Sequence, residues 1–225
     1  MFLIKHPFSS EAAIRIREVV IKHGGVLSYP TETFYAIGCD ATNSDAVKRV
    51  YSVKRRQKCL PLLVLINRWD MLSNILTDMS QELERFLQKY WPGPLTVILP
   101  VSGYLADELN YNGENVGIRM TSSKIAGDII DITGRPLVGT SANLSSEKEI
   151  STIEEVRAVF NGKIDLYIDG GKTPGIHPST MLDLTRPDRP KIIRQGAVAI
   201  DPREDLMVGD DNESVSQREL LLDKL

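Results

Sequence analysis

The sequence predicts a mixed α/β (α+β) fold, on three observations. Helical and strand patterns alternate along the first two thirds of the chain, strand patterns crowd into the last third, and no linker or repeat divides the chain before about residue 200. At 225 residues the chain is long enough for one domain with a substantial core. We therefore predict a single domain over residues 8–200 and an acidic tail over residues 201–225, whose end has the pattern of a short amphipathic helix.

Helices are predicted where a capping residue precedes an apolar stripe of helical period. Ser10 caps the first helix, and Gly24 lies in the usual position for stopping it. Asn43 and Ser44 are both good caps for the second helix, and Thr152 begins a capping box with the glutamate three residues later. The predicted helices are 10–22, 43–54, 80–90, 123–132 and 152–160.

Strands are predicted from short runs rich in β-branched and aliphatic residues between turn signals. The run PLLVLI is apolar throughout, which is typical of a strand buried on both faces inside a sheet. The predicted strands are 26–29, 61–66, 95–100, 115–120, 136–141, 164–168, 180–184 and 191–194.

Composition and charge bear on RNA binding, disulfide formation and membrane contact. The chain carries 27 basic and 30 acidic residues, of which the last 25 hold three and eight, so the first 200 hold 24 and 22. A near-neutral body permits RNA contact but gives no general electrostatic argument for it. Cys39 and Cys59 match no pairing motif and are expected to be free thiols. No signal peptide or membrane-spanning run is recognisable, so we expect a cytoplasmic protein without membrane contact.

Several common catalytic motifs are absent. GGKTP ends like a phosphate-binding P-loop, but Leu166 stands where the first glycine is required. No dinucleotide-binding glycine fingerprint or serine nucleophile elbow occurs, and the three histidines lack zinc spacing. His177, in PGIHPST, either lies on the surface or lines a pocket.

The cluster KRRQK, which follows the second helix, is the most informative charged segment. Basic residues at a helix C-terminus complement the helix dipole and are usually solvated, which is our expectation for Arg55 and Lys58. Four bases in five positions exceed what capping requires. Lys54 and Arg56 could together grip the oxygens of a phosphate or pyrophosphate.

Two further polar positions interrupt apolar strands. In VGTSAN, Ser141 and Asn143 follow a strand at its end, where α/β folds usually bind ligands, although an ordinary Ser/Asn turn has the same composition. In VGIRM, Arg119 lies within an apolar strand. A buried guanidinium needs a partner, either an internal carboxylate or an anionic ligand.

These segments, in this order, resemble one known family. YPTETFYAIGCDATNSDAV, Lys54-Arg55-Arg56, PLLVLI, WPGPLTVIL, VGIRM, TSAN, STMLDL and IIRQGAV have the order and spacing of the YrdC-like family, the threonylcarbamoyl-AMP synthases. The resemblance covers nearly all of residues 10–200. It implies one YrdC-like domain with a twisted mixed sheet and a cationic concave cleft.

The resemblance also implies an activity. Members condense L-threonine, bicarbonate or CO2, and ATP into threonylcarbamoyl-AMP with release of pyrophosphate, and Mg2+ accompanies the ATP phosphates without a dedicated metal site. The product serves threonylcarbamoyladenosine modification of tRNA next to the anticodon, so tRNA and a threonylcarbamoyl transferase complex are implied partners.

The resemblance also implies roles for individual residues of this chain. The resemblance implies that Lys54 and Arg56 are catalytic and also bind ATP. Threonine would contact Thr33, Arg119 and Ser179. The other implied ATP contacts are Asn115, Ser141, Asn143 and Arg194.

The chain departs from the family pattern in its pocket. Leu60 and Leu65 replace an asparagine and a histidine, and Ser123 stands where a second histidine is usual. These changes affect the expected ATP and threonine contacts. An alternative is therefore a YrdC-like paralogue that binds structured RNA without making the adenylate. Ser141 with Asn143 argues against it, since an electrostatic RNA binder needs no hydroxyl and amide paired at a strand end.

Overall fold

The computed structural model describes residues 2–57, 62–110, 115–144 and 147–201. Its α-helices are α1 (Ser10–Arg17), α2 (Ser44–Lys54), α3 (Leu72–Ile75), α4 (Gln81–Tyr90), α5 (Lys124–Thr133) and α6 (Ile153–Phe160). Its strands are β1 (Phe2–Lys5), β2 (Leu27–Pro30), β3 (Tyr35–Gly38), β4 (Leu63–Ile66), β5 (Leu95–Pro100), β6 (Asn115–Met120), β7 (Leu137–Ser141), β8 (Leu166–Asp169), β9 (Thr180–Asp183) and β10 (Lys191–Arg194).

The ten strands form one mixed sheet in the order β1-β8-β2-β3-β7-β4-β6-β5-β9-β10. Neighbours β1/β8, β2/β8, β4/β6 and β5/β9 are parallel, and the remaining pairs are antiparallel. The predicted mixed α/β fold is confirmed. Strand β4, from the apolar run PLLVLI, lies between β7 and β6, so its prediction as an interior strand is also confirmed.

Helix starts agree with the capping residues, with one correction. Asn43 caps α2 by accepting a hydrogen bond from the Ala46 N–H at 3.0 Å, and Thr152 and Glu155 form the expected capping box at α6. The first helix is capped by Ser9, not Ser10, because Ser9 has the extended backbone from which its hydroxyl reaches the Ala12 N–H. The helix continues through a π-helical turn over Glu18–Lys22, and Gly24 follows in the left-handed conformation.

Two strands were not predicted. Phe2–Lys5 forms β1, which pairs in parallel with β8 and extends the sheet ahead of the predicted boundary at residue 8. Tyr35–Gly38 forms β3, which pairs with β2 as a hairpin and with β7 on its other side. The hairpin places the turn Thr31–Phe34 at the end of two central strands. This turn and the end of β7 form one side of the cleft described below.

Cys39 is a buried free thiol, and Cys59 lies outside the described residues, as does the predicted tail helix. His177 is exposed and does not line the cleft described below. Within the described residues, no helix combines the length and apolarity needed to cross a lipid bilayer.

Candidate functional site

A cleft opens to solvent between the β2–β3 turn, the end of β7 and the segment that precedes β9. Its charged lining, in the described part of the chain, consists of three arginines and one glutamate. The residues that line it are Thr31, Thr33, Phe34, Tyr35, Ala36, Arg56, Leu62, Leu63, Ile98, Gly117, Arg119, Gly139, Thr140, Ser141, Glu149, Pro178, Ser179, Met181 and Arg194.

Two glycines form the floor of this cleft. Leu63 of β4 is paired with Gly117 of β6 on one side and with Gly139 of β7 on the other. A Cβ atom on Gly139 would lie 2.8 Å from the Leu65 side chain, so a larger residue there would have to displace that side chain. The absence of side chains leaves room for Leu63 to pack against both glycines and for Leu65 to pack against Gly139.

The β2–β3 turn presents two threonine hydroxyls. Thr31 Oγ1 donates to the Phe34 carbonyl at 2.8 Å and lies 3.0 Å from Thr33 Oγ1. The Thr33 N–H donates to Thr31 Oγ1 at 3.2 Å. Thr31 therefore holds the turn closed, and both threonines line the cleft although each is almost fully buried.

Glu32, between the two threonines, connects the turn to strand β6. Its Oε2 accepts a hydrogen bond from Thr121 Oγ1 at 2.7 Å, and its Oε1 lies 3.4 Å from Nε of Arg119. The Arg119 side chain is only 4% exposed, so an unpaired charge there would be costly. The predicted need for a partner is met by an internal carboxylate, while the guanidinium still lines the cleft.

The end of α2 separates the basic residues of KRRQK. Arg55 adopts a left-handed conformation, with φ of 51°, and its N–H donates to the Ser52 carbonyl at 3.1 Å. The Arg56 N–H donates to the Tyr51 carbonyl at 3.0 Å, which completes a Schellman motif. As a result Arg55 is exposed, as predicted, and Arg56 enters the cleft.

Lys54 lies behind the cleft wall, with a side chain that is 1% exposed. Its ammonium donates to the backbone carbonyls of Ser141 and Asn143, the latter at 2.8 Å, and to Asn143 Oδ1 at 3.3 Å. Ser141 Oγ donates to the same Oδ1 at 2.6 Å. Lys54 thus fixes the turn after β7, and Ser141 is the member of this group that lines the cleft.

The protonation of Lys54 is finely balanced. Burial, with repulsion from Arg56 as a second cause, lowers the pKa of Lys54 to about 7. The three oxygen acceptors oppose that shift, because an ammonium has three N–H donors and a neutral amine has two. The charge of this group is therefore sensitive to pH near neutrality.

Ser179 and Arg194 are in direct contact on the opposite side of the cleft. The Arg194 guanidinium donates to the Ser179 carbonyl at 2.9 and 3.2 Å and to its hydroxyl at 3.2 Å. Ser179 Oγ is also 3.0 Å from Thr96 Oγ1 of β5. Burial lowers the pKa of Arg194, and Glu149 opposes that shift.

Six of the nine predicted site residues line the cleft: Thr33, Arg56, Arg119, Ser141, Ser179 and Arg194. Lys54 and Asn143 lie behind its wall, where the Asn143 amide donates to the Glu147 carbonyl at 2.5 Å. Asn115 begins β6 and lies on the same face of the strand as Gly117 and Arg119, but beyond the lining residues.

Two of the three positions at which the pocket departs from the family pattern, Leu65 and Ser123, lie within the described residues. Leu65 is fully buried in β4, and Ser123 caps α5 while its hydroxyl donates to the Pro30 carbonyl at 3.1 Å. Leu60 and Lys58 lie outside the described residues.

Sequence reasoning missed Glu149 and the two floor glycines. Glu149 belongs to the polar segment SSEKEI, whose composition is that of an ordinary surface loop. Gly117 and Gly139 each follow a valine in VGIRM and VGTSAN, the same strands that carry Arg119 and Ser141. A glycine inside a predicted strand, two residues before a polar side chain, was the available signal.

The arrangement suits a polyanionic ligand. Three guanidiniums converge around a glycine floor, with hydroxyls of Thr33, Ser141 and Ser179 between them. Within the described residues no group of three or more histidine, cysteine or acidic side chains could hold a metal ion.

Comparison with known proteins gives the family. The Sua5/YciO/YrdC family model, described as "Telomere recombination", matches residues 19–196. The chain is 34% identical over 194 residues to the threonylcarbamoyl-AMP synthase of Pyrococcus abyssi, covering 86% of this chain and 57% of that protein. It is 33% identical over 193 residues to the synthase of the same name from Bacillus subtilis, covering 85% and 54%.

Solved structures agree with the sequence match. P. abyssi Sua5 complexed with L-threonine superposes with a TM-score of 0.83 and 29% identity, covering 92% of this chain and 60% of that one. E. coli YciO gives a TM-score of 0.79 and 26% identity, covering 89% and 97%. The chain thus spans little more than half the length of its curated relatives and nearly all of YciO. By its family model and its relatives, this chain belongs to the Sua5/YciO/YrdC family.

Proposed function

We propose that this protein synthesises threonylcarbamoyl-AMP from L-threonine, bicarbonate or CO2, and ATP, with release of pyrophosphate. The observation that carries the proposal is that Arg56, Arg119 and Arg194 line one cleft, together with Ser141 at the end of β7. Relatives at 33–34% identity are named threonylcarbamoyl-AMP synthase, and a related structure was solved with L-threonine.

The reaction suits a site of cations and fixed donors. The amine of threonine bonds to the carbon of CO2 and loses a proton, giving a carbamate. A carbamate oxygen then bonds to the α-phosphorus of ATP, and the bond to the pyrophosphate oxygen breaks. Negative charge develops in both steps and neither needs a protein nucleophile, so positioning and electrostatic stabilisation provide the catalysis.

The arginines divide between the two substrates. Glu32 holds Arg119 beside Thr31 and Thr33 of the β2–β3 turn, and we assign Arg119 to the carboxylate of the substrate threonine. We assign Thr33 to a contact with the side chain or backbone of the same substrate. Ser179 contacts Arg194 and so lies where the threonine and ATP subsites meet. Its hydroxyl is assigned to threonine.

Arg56 and Arg194 are assigned to the ATP phosphates. Ser141 supplies a hydroxyl at the end of β7, and Lys54 and Asn143 hold the turn that carries it. Asn115 is assigned to the nucleotide from the far end of β6. In this account Lys54 acts on the phosphates through its charge and through the turn it fixes.

ATP is the Mg2+ complex in this proposal. The phosphates would carry the ion into the cleft, since Mg2+ in nucleotide sites is held largely by the substrate phosphates. Bound there, Mg2+ would neutralise charge on the phosphate oxygens while pyrophosphate leaves.

The product is a reactive mixed anhydride. Its consumer must transfer the threonylcarbamoyl group to a nucleophile before water does. We propose that this consumer is a transferase complex that modifies adenosine next to the tRNA anticodon.

The test is a pyrophosphate-release assay with purified protein and MgATP. Release should require both L-threonine and bicarbonate, and omission of either should reduce it to background. Release that is independent of threonine would contradict the proposal. No release, together with salt-sensitive binding of tRNA, would identify the protein as an RNA-binding paralogue.

A further inference from the structure

Glu149 is the one carboxylate that lines the cleft within the described residues, where it shares the lining with three arginines. An α-amino acid enters such a cleft as a zwitterion. Its carboxylate is attracted by guanidiniums, but its ammonium is repelled by them unless a negative charge lies nearby. We propose that Glu149 binds the α-ammonium group of the amino-acid substrate. This inference rests on the proposed function and extends it to how the substrate is recognised.

The backbone around Glu149 is fixed beside the proposed threonine subsite. The Tyr35 N–H donates to the Ile150 carbonyl at 2.9 Å, which joins the Glu149 loop to the strand that follows Thr33. At the other end of the loop, the Asn143 amide holds the Glu147 carbonyl. The Glu149 side chain is therefore presented from a loop anchored on both sides, close to the β2–β3 turn.

The carboxylate is available to a ligand. Glu149 forms no hydrogen bond or ion pair with the residues that the structure describes, and it is only half-buried. By contrast, Glu32 is already engaged by Thr121 and Arg119. An ammonium group can form a strong charge-assisted hydrogen bond with a half-buried carboxylate that has no other partner.

Glu149 interacts electrostatically with two basic groups of the site, Lys54 and Arg194. Burial lowers the pKa of Lys54 and of Arg194, and in each case Glu149 acts in the opposite direction. Glu149 also lines the same cleft as Arg119 and Arg194. The cleft therefore offers complementary charges to both ends of an α-amino acid.

The experiment is a calorimetric binding cycle without ATP or Mg2+. It compares L-threonine with the matching 2,3-dihydroxybutyrate, in which a hydroxyl replaces the ammonium. Wild type is compared with Glu149→Gln, which keeps the shape of the side chain and removes its charge. Glu147→Gln is the matched control, because that side chain lies exposed in the same loop.

We expect Glu149→Gln to weaken threonine about tenfold, equivalent to about 1.4 kcal/mol, and to leave the dihydroxybutyrate unchanged. Glu147→Gln should leave both affinities unchanged. Equal losses for both ligands, or no loss for either, would overturn the ammonium assignment and leave the proposed function standing. Wild type that binds no threonine would contradict the proposed function, and the assignment with it.

Discussion

Nε of Arg119 lies 3.4 Å from Oε1 of Glu32, and neither atom forms a hydrogen bond with the described residues. Both side chains are largely buried, so the pair is held by charge and by packing without ideal hydrogen-bond geometry. Such a pair leaves the remaining guanidinium N–H groups free to face the cleft. Glu32 is thus a positioning residue for the arginine assigned to the threonine carboxylate.

Replacing Glu32 by glutamine should weaken threonine more than ATP. Glutamine keeps an oxygen for the Thr121 hydroxyl but removes the charge that holds Arg119. We expect KM for threonine to rise about tenfold with a smaller change in kcat, and stability to fall by about 3 kcal/mol because a buried charge loses its partner. Steady-state kinetics and urea unfolding measure the two effects. Glu84→Gln on the exposed face of α4 is the control, and a folded Glu32→Gln enzyme with normal KM would remove the assigned role.

Arg55 and Arg56 provide an internal comparison, since Arg56 lines the cleft and its sequence neighbour Arg55 is exposed outside it. Arg56→Ala should reduce kcat/KM on the order of a hundredfold, the scale of losing one charged contact to the developing negative charge. Arg55→Ala should change it less than about twofold, because its side chain is exposed and outside the cleft. Equal losses in both variants would mean that general positive charge, not position, determines activity.

Arg55→Gly should stabilise the fold. Arg55 adopts a left-handed conformation that costs a residue with a Cβ roughly 1–2 kcal/mol, and glycine avoids that cost. Glycine's greater freedom in the unfolded chain offsets about 0.5–1 kcal/mol, leaving a gain of about 0.5–1 kcal/mol. Thermal unfolding should show Tm higher by about 2–4 °C at the upper end of that range. Arg55→Lys should give no gain, and a lower Tm for the glycine variant would show that the Schellman turn is not strained.

ATP affinity should depend on the protonation of Lys54. With its pKa lowered to about 7, Lys54 is charged below that pH and neutral above it. Deprotonation removes a positive charge near Arg56 and leaves one of three oxygens without a donor. The affinity of wild type for ATP should therefore fall as pH rises through about 7, as measured by calorimetry.

Two variants isolate this effect from the ionisation of ATP itself. In Lys54→Arg the guanidinium stays charged, so the decline above about pH 7 should be lost. Lys54→Met carries no charge and should bind weakly at every pH. A wild-type profile that matches Lys54→Met in shape would show that Lys54 does not titrate in this range.

The fold was largely predictable because its signals are local. Asn43 and Thr152 cap the helices they were expected to cap, and the apolar run of β4 lies inside the sheet. Strand β1 was missed because its pairing partner, β8, follows more than 150 residues later, so nothing near Phe2 indicates a strand. Long-range pairing is information that a short window of sequence does not contain.

The site was predictable in its residue types and less so in their orientation. The sequence places four bases at the end of the second helix and just after it, and it is the left-handed turn at Arg55 that sends Arg56 into the cleft and leaves Arg55 in solvent. Lys54 was expected to face a ligand but donates to the turn after β7. Glu149 gave no signal at all, because only its anchored loop brings it to the cleft.

The most direct test of the central claim is mass spectrometry of the product formed from L-threonine, MgATP and 13C-bicarbonate. We expect an adenylate that contains threonine and one carbon from bicarbonate, heavier by the mass of the label than the product from unlabelled bicarbonate. It should be absent with Arg56→Ala. A threonyl adenylate without the label would contradict the claim, because it would show that the protein activates the carboxylate of threonine and not a carbamate on its amine.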